Sequence, residues 1–107
     1  MIFMEPQILE EKNTIYVIIR NRDKILIQEH CKTFTSTNEK GRFDILPEHA
    51  NFISVINSFI ILHKMDMTSS EIKINQGVME VKNNIVYVFL DVTPLGITSV
   101  KSASQTS

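Results

Sequence analysis

The acidic and imidazole side chains of Asp44, Glu48 and His49 have the clearest capacity for chemistry in this sequence. Two carboxylates near an imidazole can exchange protons in general acid–base catalysis. No nucleophile with a recognisable setting accompanies them, and the chain has no glycine-rich phosphate loop. A small hydrolase built on His49 is therefore the weakest hypothesis. We interpret His49 as a structural hydrogen-bonding residue or a contact with a partner.

Metal ligation is the second chemistry to consider. The three histidines, His30, His49 and His63, lack the close spacing of metal ligands. Cys31 follows His30 directly, and neighbouring residues of a strand point to opposite faces. We expect no metal and no cofactor, and we interpret Cys31 as a small buried hydrophobic residue. A single cysteine also excludes an intrachain disulfide and fits a reducing compartment.

The composition is that of one globular domain without a strong charge. The chain has 107 residues, 43% hydrophobic residues and a net charge of −1. A net charge so close to zero predicts no nucleic-acid partner and no attraction to an anionic membrane. The longest uncharged apolar run, residues 52–62, is too short to cross a bilayer. For that reason we expect no membrane insertion, and we expect no secretory signal because the first residues carry no positive charge.

The elements that must position these side chains are mostly strands. Residues 14–20 and 24–30 are rich in β-branched residues around a polar break, which predicts a hairpin, and residues 32–38 predict a third strand. A polar loop, 38–41, leads into residues 41–52, where Gly41 and Pro47 predict a stiff, sharply turned surface segment.

Residues 51–63 are ambiguous. Phe52, Ile56, Phe59, Ile60 and His63 fit a helical stripe, but the segment lacks strong helix formers. We predict two strands that turn at the Asn57–Ser58 pair, and a helix remains the alternative.

The remaining segments predict further strands. Residues 71–75 alternate polar and apolar, and residues 78–82 and 85–92 flank a predicted two-residue turn at Asn83–Asn84. Both faces of 85–90 are apolar, which predicts a central strand covered on two sides. Together the strands predict an all-β fold, a two-sheet β-sandwich of short, mostly antiparallel strands, over residues 14–92. We expect residues 1–13 to be an N-terminal extension, with a marginal helix at 7–12, and the Ser/Thr-rich residues 93–107 to be a disordered tail.

Three segments resemble the epsilon subunit of F-type ATP synthases. Residues 41–51 resemble the family's G-x-x-G-I-L-P-x-H-A-P loop, residues 76–81 its G-G-x-L-E-V turn and strand, and residues 83–91 its closing hairpin. The likeness covers residues 14–91, with the three motifs in the family's order. Asp44 and Asn51 depart from the loop pattern, where glycine and proline are usual, and Gln76 replaces a glycine.

The resemblance implies a β-sandwich at the foot of the rotary central stalk. It implies a non-catalytic subunit that binds gamma and the c-ring and couples proton-driven rotation to ATP synthesis. Such a subunit is peripheral, at the cytoplasmic face of the cell membrane. The family commonly continues into a regulatory α-helical hairpin, and we expect none after Asp91 because Pro94, Gly96 and a Ser/Thr-rich run follow.

The resemblance also implies which residues contact the partners. The predicted contacts with the c-ring or gamma lie in the polar loop and the turned segment after it: Glu39, Lys40, Gly41, Arg42, Phe43, Asp44, Glu48 and His49. Arg42 and Lys40 can pair with acidic or carbonyl groups, which gives orientation more than affinity. The alternative function is a free-standing β-sandwich interaction module derived from the same scaffold, because fold alone does not fix function.

Overall fold

The computed structural model describes residues 13–91 and 96–101. These residues form seven strands and no helix, which excludes the helical alternative for residues 51–63. The strands are β1 (Ile15–Arg20), β2 (Ile25–Asn38), β3 (Gly41–Ile45), β4 (Phe52–Lys64), β5 (Thr68–Lys82), β6 (Ile85–Leu90) and β7 (Gly96–Lys101). The extension at 1–12, with its predicted helix, lies outside the described residues.

The strands form one continuous sheet that closes on itself. Its order is β1-β6-β5-β4-β2-β3, β1 also pairs with β2, and β7 pairs with β5. Five strands therefore form a closed, barrel-like ring, and β3 and β7 are attached outside it. All pairings are antiparallel except β1 with β6, which is parallel. The all-β, mostly antiparallel prediction is confirmed, but the two layers belong to one bent sheet.

Bulges explain why the strands are longer than predicted. β4 is a single strand of 13 residues, and the predicted turn at Asn57–Ser58 is a bulge within it, where Ser58 has a φ of 72°. The buried hydroxyl of Ser36 donates a hydrogen bond of 2.7 Å to the backbone oxygen of Phe59 beside this bulge. Because a bulge bends a strand, one long strand can serve both layers of the fold. The polar pair signalled a bend rather than a chain reversal.

The same correction applies to β2 and β5. The predicted strands 24–30 and 32–38 are one strand of 14 residues, with a register shift against β4 between Cys31 and Thr33. Residues 71–75 and 78–82 both lie in β5, which has 15 residues and contains Gly77 without interruption. The alternation predicted for 71–75 is confirmed, since Ile72 and Ile74 are buried between exposed neighbours.

The two predicted tight turns have the expected geometry. Asn83 and Asn84 both have positive φ, 52° and 64°, and connect the paired residues Lys82 and Ile85. This is the left-handed backbone that a two-residue hairpin requires and that asparagine tolerates.

In the turn between β1 and β2, the side-chain oxygen of Asn21 accepts hydrogen bonds from the backbone amides of Asp23 and Lys24, at 2.8 and 3.0 Å. The sequence therefore located both hairpins correctly.

The prediction of disorder from residue 93 is wrong for residues 96–101. They form β7 and pair with residues 68–73 of β5, from Lys73 opposite Gly96 to Thr68 opposite Lys101. The reason is the length of β5, because β6 covers only its second half and leaves the edge of its first half free to pair. Residues 92–95 and 102–107 lie outside the described part.

The core lies inside the closed sheet. Its members are aliphatic residues, one phenylalanine, one methionine and one cysteine, all at most 4% exposed: Ile15, Val17, Ile19, Cys31, Phe34, Ile45, Ile56, Ile60, Leu62, Ile72, Ile74, Met79, Val81, Val86, Val88 and Leu90. Cys31 is fully buried, as predicted, and burial raises the pKa of its thiol to about 12. A thiol that stays protonated is a poor nucleophile, so Cys31 is structural.

Candidate functional site

The predicted contact loop is the turn between β2 and β3. The backbone amide of Lys40 donates a hydrogen bond of 2.8 Å to the side-chain oxygen of Asn38. The amide nitrogen of the same asparagine donates to the hydroxyl of Ser54 on β4, at 3.0 Å. Gly41 ends the turn with a φ of 118°, a conformation that favours glycine. Glu39 and Lys40 are therefore exposed on a turn that is fixed at both its start and its end.

Arg42 and Phe43 point to opposite sides of β3. The guanidinium carbon of Arg42 lies 5.8 Å from the ring centroid of Phe59, beside the bulge of β4. The Phe43 ring packs against Phe52 with centroids 5.5 Å apart. Stacking on an aromatic ring restricts the long arginine side chain without removing its charge from water. Phe59 thus holds Arg42 in place, a role that the sequence did not predict.

Asp44 is separated from the two residues with which it was grouped. Its carboxylate accepts a hydrogen bond of 2.7 Å from the hydroxyl of Thr35 on β2. It lines a groove with Lys32, His63 and Lys64, whereas Glu48 and His49 follow in the turn after β3. No hydrogen bond or ion pair joins Asp44 to either of them within the described ranges.

Glu48 and His49 belong to a turn that is attached to the β5–β6 hairpin. The backbone amide of Glu48 donates a hydrogen bond of 2.6 Å to the side-chain oxygen of Asn84. The backbone oxygen of Asn84 accepts a hydrogen bond of 2.8 Å from the amide of Tyr16. Glu48 itself has a φ of 70°. Asn84 therefore connects three parts of the chain, a function that its place in a turn motif did not indicate.

His49 has a structural setting. Its Nδ1 lies 2.8 Å from the backbone oxygen of Ala50, and its ring meets Phe52 edge to face at 5.7 Å. A carbonyl oxygen only accepts hydrogen bonds, so Nδ1 carries the proton. Phe52 contacts both His49 and Phe43 and so joins the turn to β3. The interpretation of His49 as a structural hydrogen-bonding residue agrees with this geometry.

We expect two substitutions at Asn84 to separate its backbone role from its side-chain role. Asn84→Gly keeps access to positive φ but removes the acceptor for Glu48, and should lower the free energy of unfolding by about 1 kcal/mol. Asn84→Ala loses both and should cost about 2 kcal/mol. Urea denaturation measures the difference. Asn83→Gly is the control and should cost least, so equal losses at all three variants would contradict the role assigned to the side chain.

A second surface was not predicted as a site. On the outer face of β4, β5 and β6, five large apolar side chains are 43–69% exposed: Ile53, Val55, Val78, Tyr87 and Phe89. Cross-strand pairing aligns them, because Val55 lies opposite Val78 and Val78 opposite Phe89. We call these five residues the apolar face. The prediction that β6 is covered on both sides is wrong within the described residues, because Tyr87 and Phe89 are exposed. The apolar residues on both sides of β6 indicated instead that one side is an exposed apolar surface.

The described residues contain no arrangement for catalysis or metal binding. No three His, Cys, Asp or Glu side chains within 13–91 come together as metal ligands. Among the residues that the structure describes, there is no helix that is long and apolar enough to cross a membrane. Two exposed surfaces stand out among the described residues: the apolar face, and the charged turns that flank β3. The described part of the chain is thus a small closed β-sheet domain with one apolar and one charged exposed surface.

The comparisons identify the family. The model of the family described as "ATP synthase, Delta/Epsilon chain, beta-sandwich domain" matches residues 14–94. The chain therefore belongs to this family, as the three motifs predicted. The epsilon subunit of ATP synthase is a non-catalytic subunit.

Named relatives agree with this assignment. The ATP synthase epsilon chain of Citrifermentans bemidjiense is 29% identical over 68 residues, which cover 64% of this chain and 49% of the relative. That of Geotalea daltonii is 31% identical over the same coverage. The chain thus spans about half the length of the curated relatives that it matches.

A solved structure has the same fold. A chain in the cryo-EM structure of the Euglena gracilis mitochondrial ATP synthase, with OSCP, F1 and c-ring, superposes with a TM-score of 0.71 at 17% identity. The match covers 78% of this chain and 54% of that one.

Proposed function

We propose that this chain is a central-stalk epsilon subunit that binds gamma and the c-ring and couples proton-driven rotation to ATP synthesis. The observation that supports this most is the combination of the family with two exposed surfaces of different chemistry. A subunit that transmits rotation between two partners needs two separate contacts and a stiff body between them. A closed, densely packed sheet provides that stiffness, because close-packed interiors deform little under load.

The apolar face is the proposed contact with gamma. Ile53 is 69% exposed and Val55 is 51% exposed on β4, and the row that starts at Val55 continues through Val78 on β5 to Phe89 on β6. Contiguous apolar surface of this kind marks a protein contact on a soluble domain, and apolar cores are typical of permanent interfaces. As the proposed partner within the stalk, gamma suits the apolar face better than the polar loops of a ring do.

The turns that flank β3 are the proposed contact with the c-ring. Glu39, Lys40 and Arg42 carry both signs of charge on exposed positions. A groove of about 510 Å³ separates this turn from the apolar face; the turn contributes Glu39 and Lys40 to its lining, and the apolar face contributes Ile53 and Val55. Mixed charge at such a contact fixes orientation more than affinity. In this position the chain would be peripheral, at the cytoplasmic face of the cell membrane.

A cysteine introduced at Arg42 tests the ring contact. Cys31 is fully buried, so in the Arg42→Cys variant the introduced cysteine is the accessible thiol among the described residues, and Cys31 need not be replaced. In the assembled complex, oxidation should link this cysteine to a second cysteine placed in the polar loop of the c subunit. The matched control is Glu71→Cys, an exposed position in the first half of β5.

The outcomes separate the two candidate functions. Cross-linking from position 42 and not from position 71 supports the stalk role and the proposed orientation. Cross-linking from both positions, or from neither while the chain remains in the complex, would contradict the orientation. Failure of the chain to assemble with gamma and the ring would favour the free-standing interaction module.

A further inference from the structure

Two charged residues interrupt the apolar surface of the sheet at positions that can serve a second copy of the chain. Arg20 on β1 lies opposite Phe89 of β6, and Glu80 on β5 lies opposite Tyr87 of β6. Both line the outer groove formed with Ile18 and Val78. Neither forms an ion pair with another residue within the described ranges. A positive and a negative group therefore stand unpaired at the two sides of β6.

The placement of these charges is self-complementary. Arg20 and Glu80 lie one strand to either side of β6 and in adjacent cross-strand rows. Two copies can pack face to face around a two-fold axis that runs parallel to the sheets, passes over the midpoint between Tyr87 and Phe89, and is perpendicular to the line from Arg20 to Glu80. Such an axis places Arg20 of each copy over Glu80 of the other, and the aromatic side chains meet at the centre. Paired contacts of this type characterise an isologous dimer interface.

The arginine is also held in position. Its Nε donates a hydrogen bond of 3.1 Å to the backbone oxygen of Asn21 at the end of β1. The terminal nitrogens remain available, and they form the end of the guanidinium group that binds a carboxylate through two hydrogen bonds. Preorganisation of this kind reduces the entropy lost when an ion pair forms across an interface.

From these positions we infer that the free chain forms a symmetric dimer through the outer face of β4, β5, β6 and β1, with two Arg20–Glu80 ion pairs between the copies. The inference does not depend on the stalk function. The dimer covers apolar side chains that would otherwise be exposed to water in a free chain, which is a common source of aggregation. It uses the apolar face, so dimer formation and binding of any other protein to that face exclude each other.

Charge reversal with rescue tests the dimer. The full chain is studied by sedimentation equilibrium over a range of concentrations, and the wild type should show a monomer–dimer equilibrium. Arg20→Glu and Glu80→Arg should each place like charges opposite each other and weaken the dimer at least about tenfold. The double variant exchanges the charges and should restore the dimer. Glu71→Arg, an exposed reversal elsewhere on β5, should leave the equilibrium unchanged.

Three results would overturn the inference. The wild-type chain could remain monomeric at the highest concentrations, with the apolar face left for another protein. A dimer could form that is insensitive to both single reversals, which would place its interface on another surface. The double variant could be as weak as the singles, although circular dichroism shows that it is folded, and the two residues would then not pair with each other.

Discussion

Loss of gamma is the expected result when a charge is placed in the centre of the apolar face. Val78 lies between Val55 and Phe89 and is 48% exposed, so Val78→Glu adds a carboxylate that water can still reach in the free chain. In a complex the same carboxylate is buried without a partner, which costs about 3 kcal/mol or more. We therefore expect at least about 100-fold weaker binding to gamma.

The measurement compares this variant with a matched one. Co-expressed gamma should purify with the wild-type chain and not with Val78→Glu. Met65→Glu is the control, because Met65 is 47% exposed but lies in the turn between β4 and β5. Circular dichroism spectra of the free variants that match the wild-type spectrum would show that the fold is intact. If Met65→Glu lost gamma and Val78→Glu retained it, gamma would bind a different surface.

The largest expected loss of stability is at Gly77. A Cβ at this position would lie 2.6 Å from Cδ2 of Leu90 and 3.0 Å from the backbone oxygen of Phe89. The Leu90 side chain can shift at some cost in the packed core, but the oxygen belongs to the β5–β6 ladder and cannot move freely. We expect Gly77→Ala to lower the free energy of unfolding by about 1–3 kcal/mol and Gly77→Val by about 3 kcal/mol or more.

Gly41 provides the comparison. No atom lies within 4 Å of a Cβ at Gly41, so the cost there comes from its φ of 118° alone. Gly41→Ala should cost about 1–2 kcal/mol, all of it from backbone strain. Urea denaturation of Gly77→Ala and Gly41→Ala measures the loss of stability from the clash at position 77 and from the backbone strain at position 41. In a Gly77→Ala, Leu90→Ala double variant, the clash with the leucine is removed, so the two losses should not add. Simple additivity would show that Leu90 is not the obstacle.

The local signals in the sequence were sufficient for the strand content and the turns. Runs of β-branched residues predicted β1 and β6, and the pair Asn83–Asn84 predicted the turn between β5 and β6. The preference of β-branched residues for strands, and of asparagine for a left-handed backbone, acts within a few residues of the chain. The three motifs determined the family, and the position of the exposed turn at 38–41 followed from its polar residues. These properties depend on neighbouring residues in the chain, so one sequence was enough to predict them.

The lengths of the strands and the surfaces were decided by the tertiary structure. Asn57 and Ser58 produce a bulge rather than a turn because β2 and β5 pair with β4 on both sides and hold it extended. Residues 96–101 become a strand because half of one edge of β5 is left unpaired by β6. Neither cause can be found in the local sequence.

Pairing between distant strands also decided which residues share a candidate site. Asp44, Glu48 and His49 are close in sequence, but the end of β3 separates Asp44 from the turn that Asn84 holds. The apolar face likewise exists only because cross-strand pairing aligns Val55, Val78 and Phe89. The sequence by itself determined the fold class, the family and the hairpin turns. Which strands pair depends on contacts between distant residues, and only the closed sheet decides which side chains share a surface.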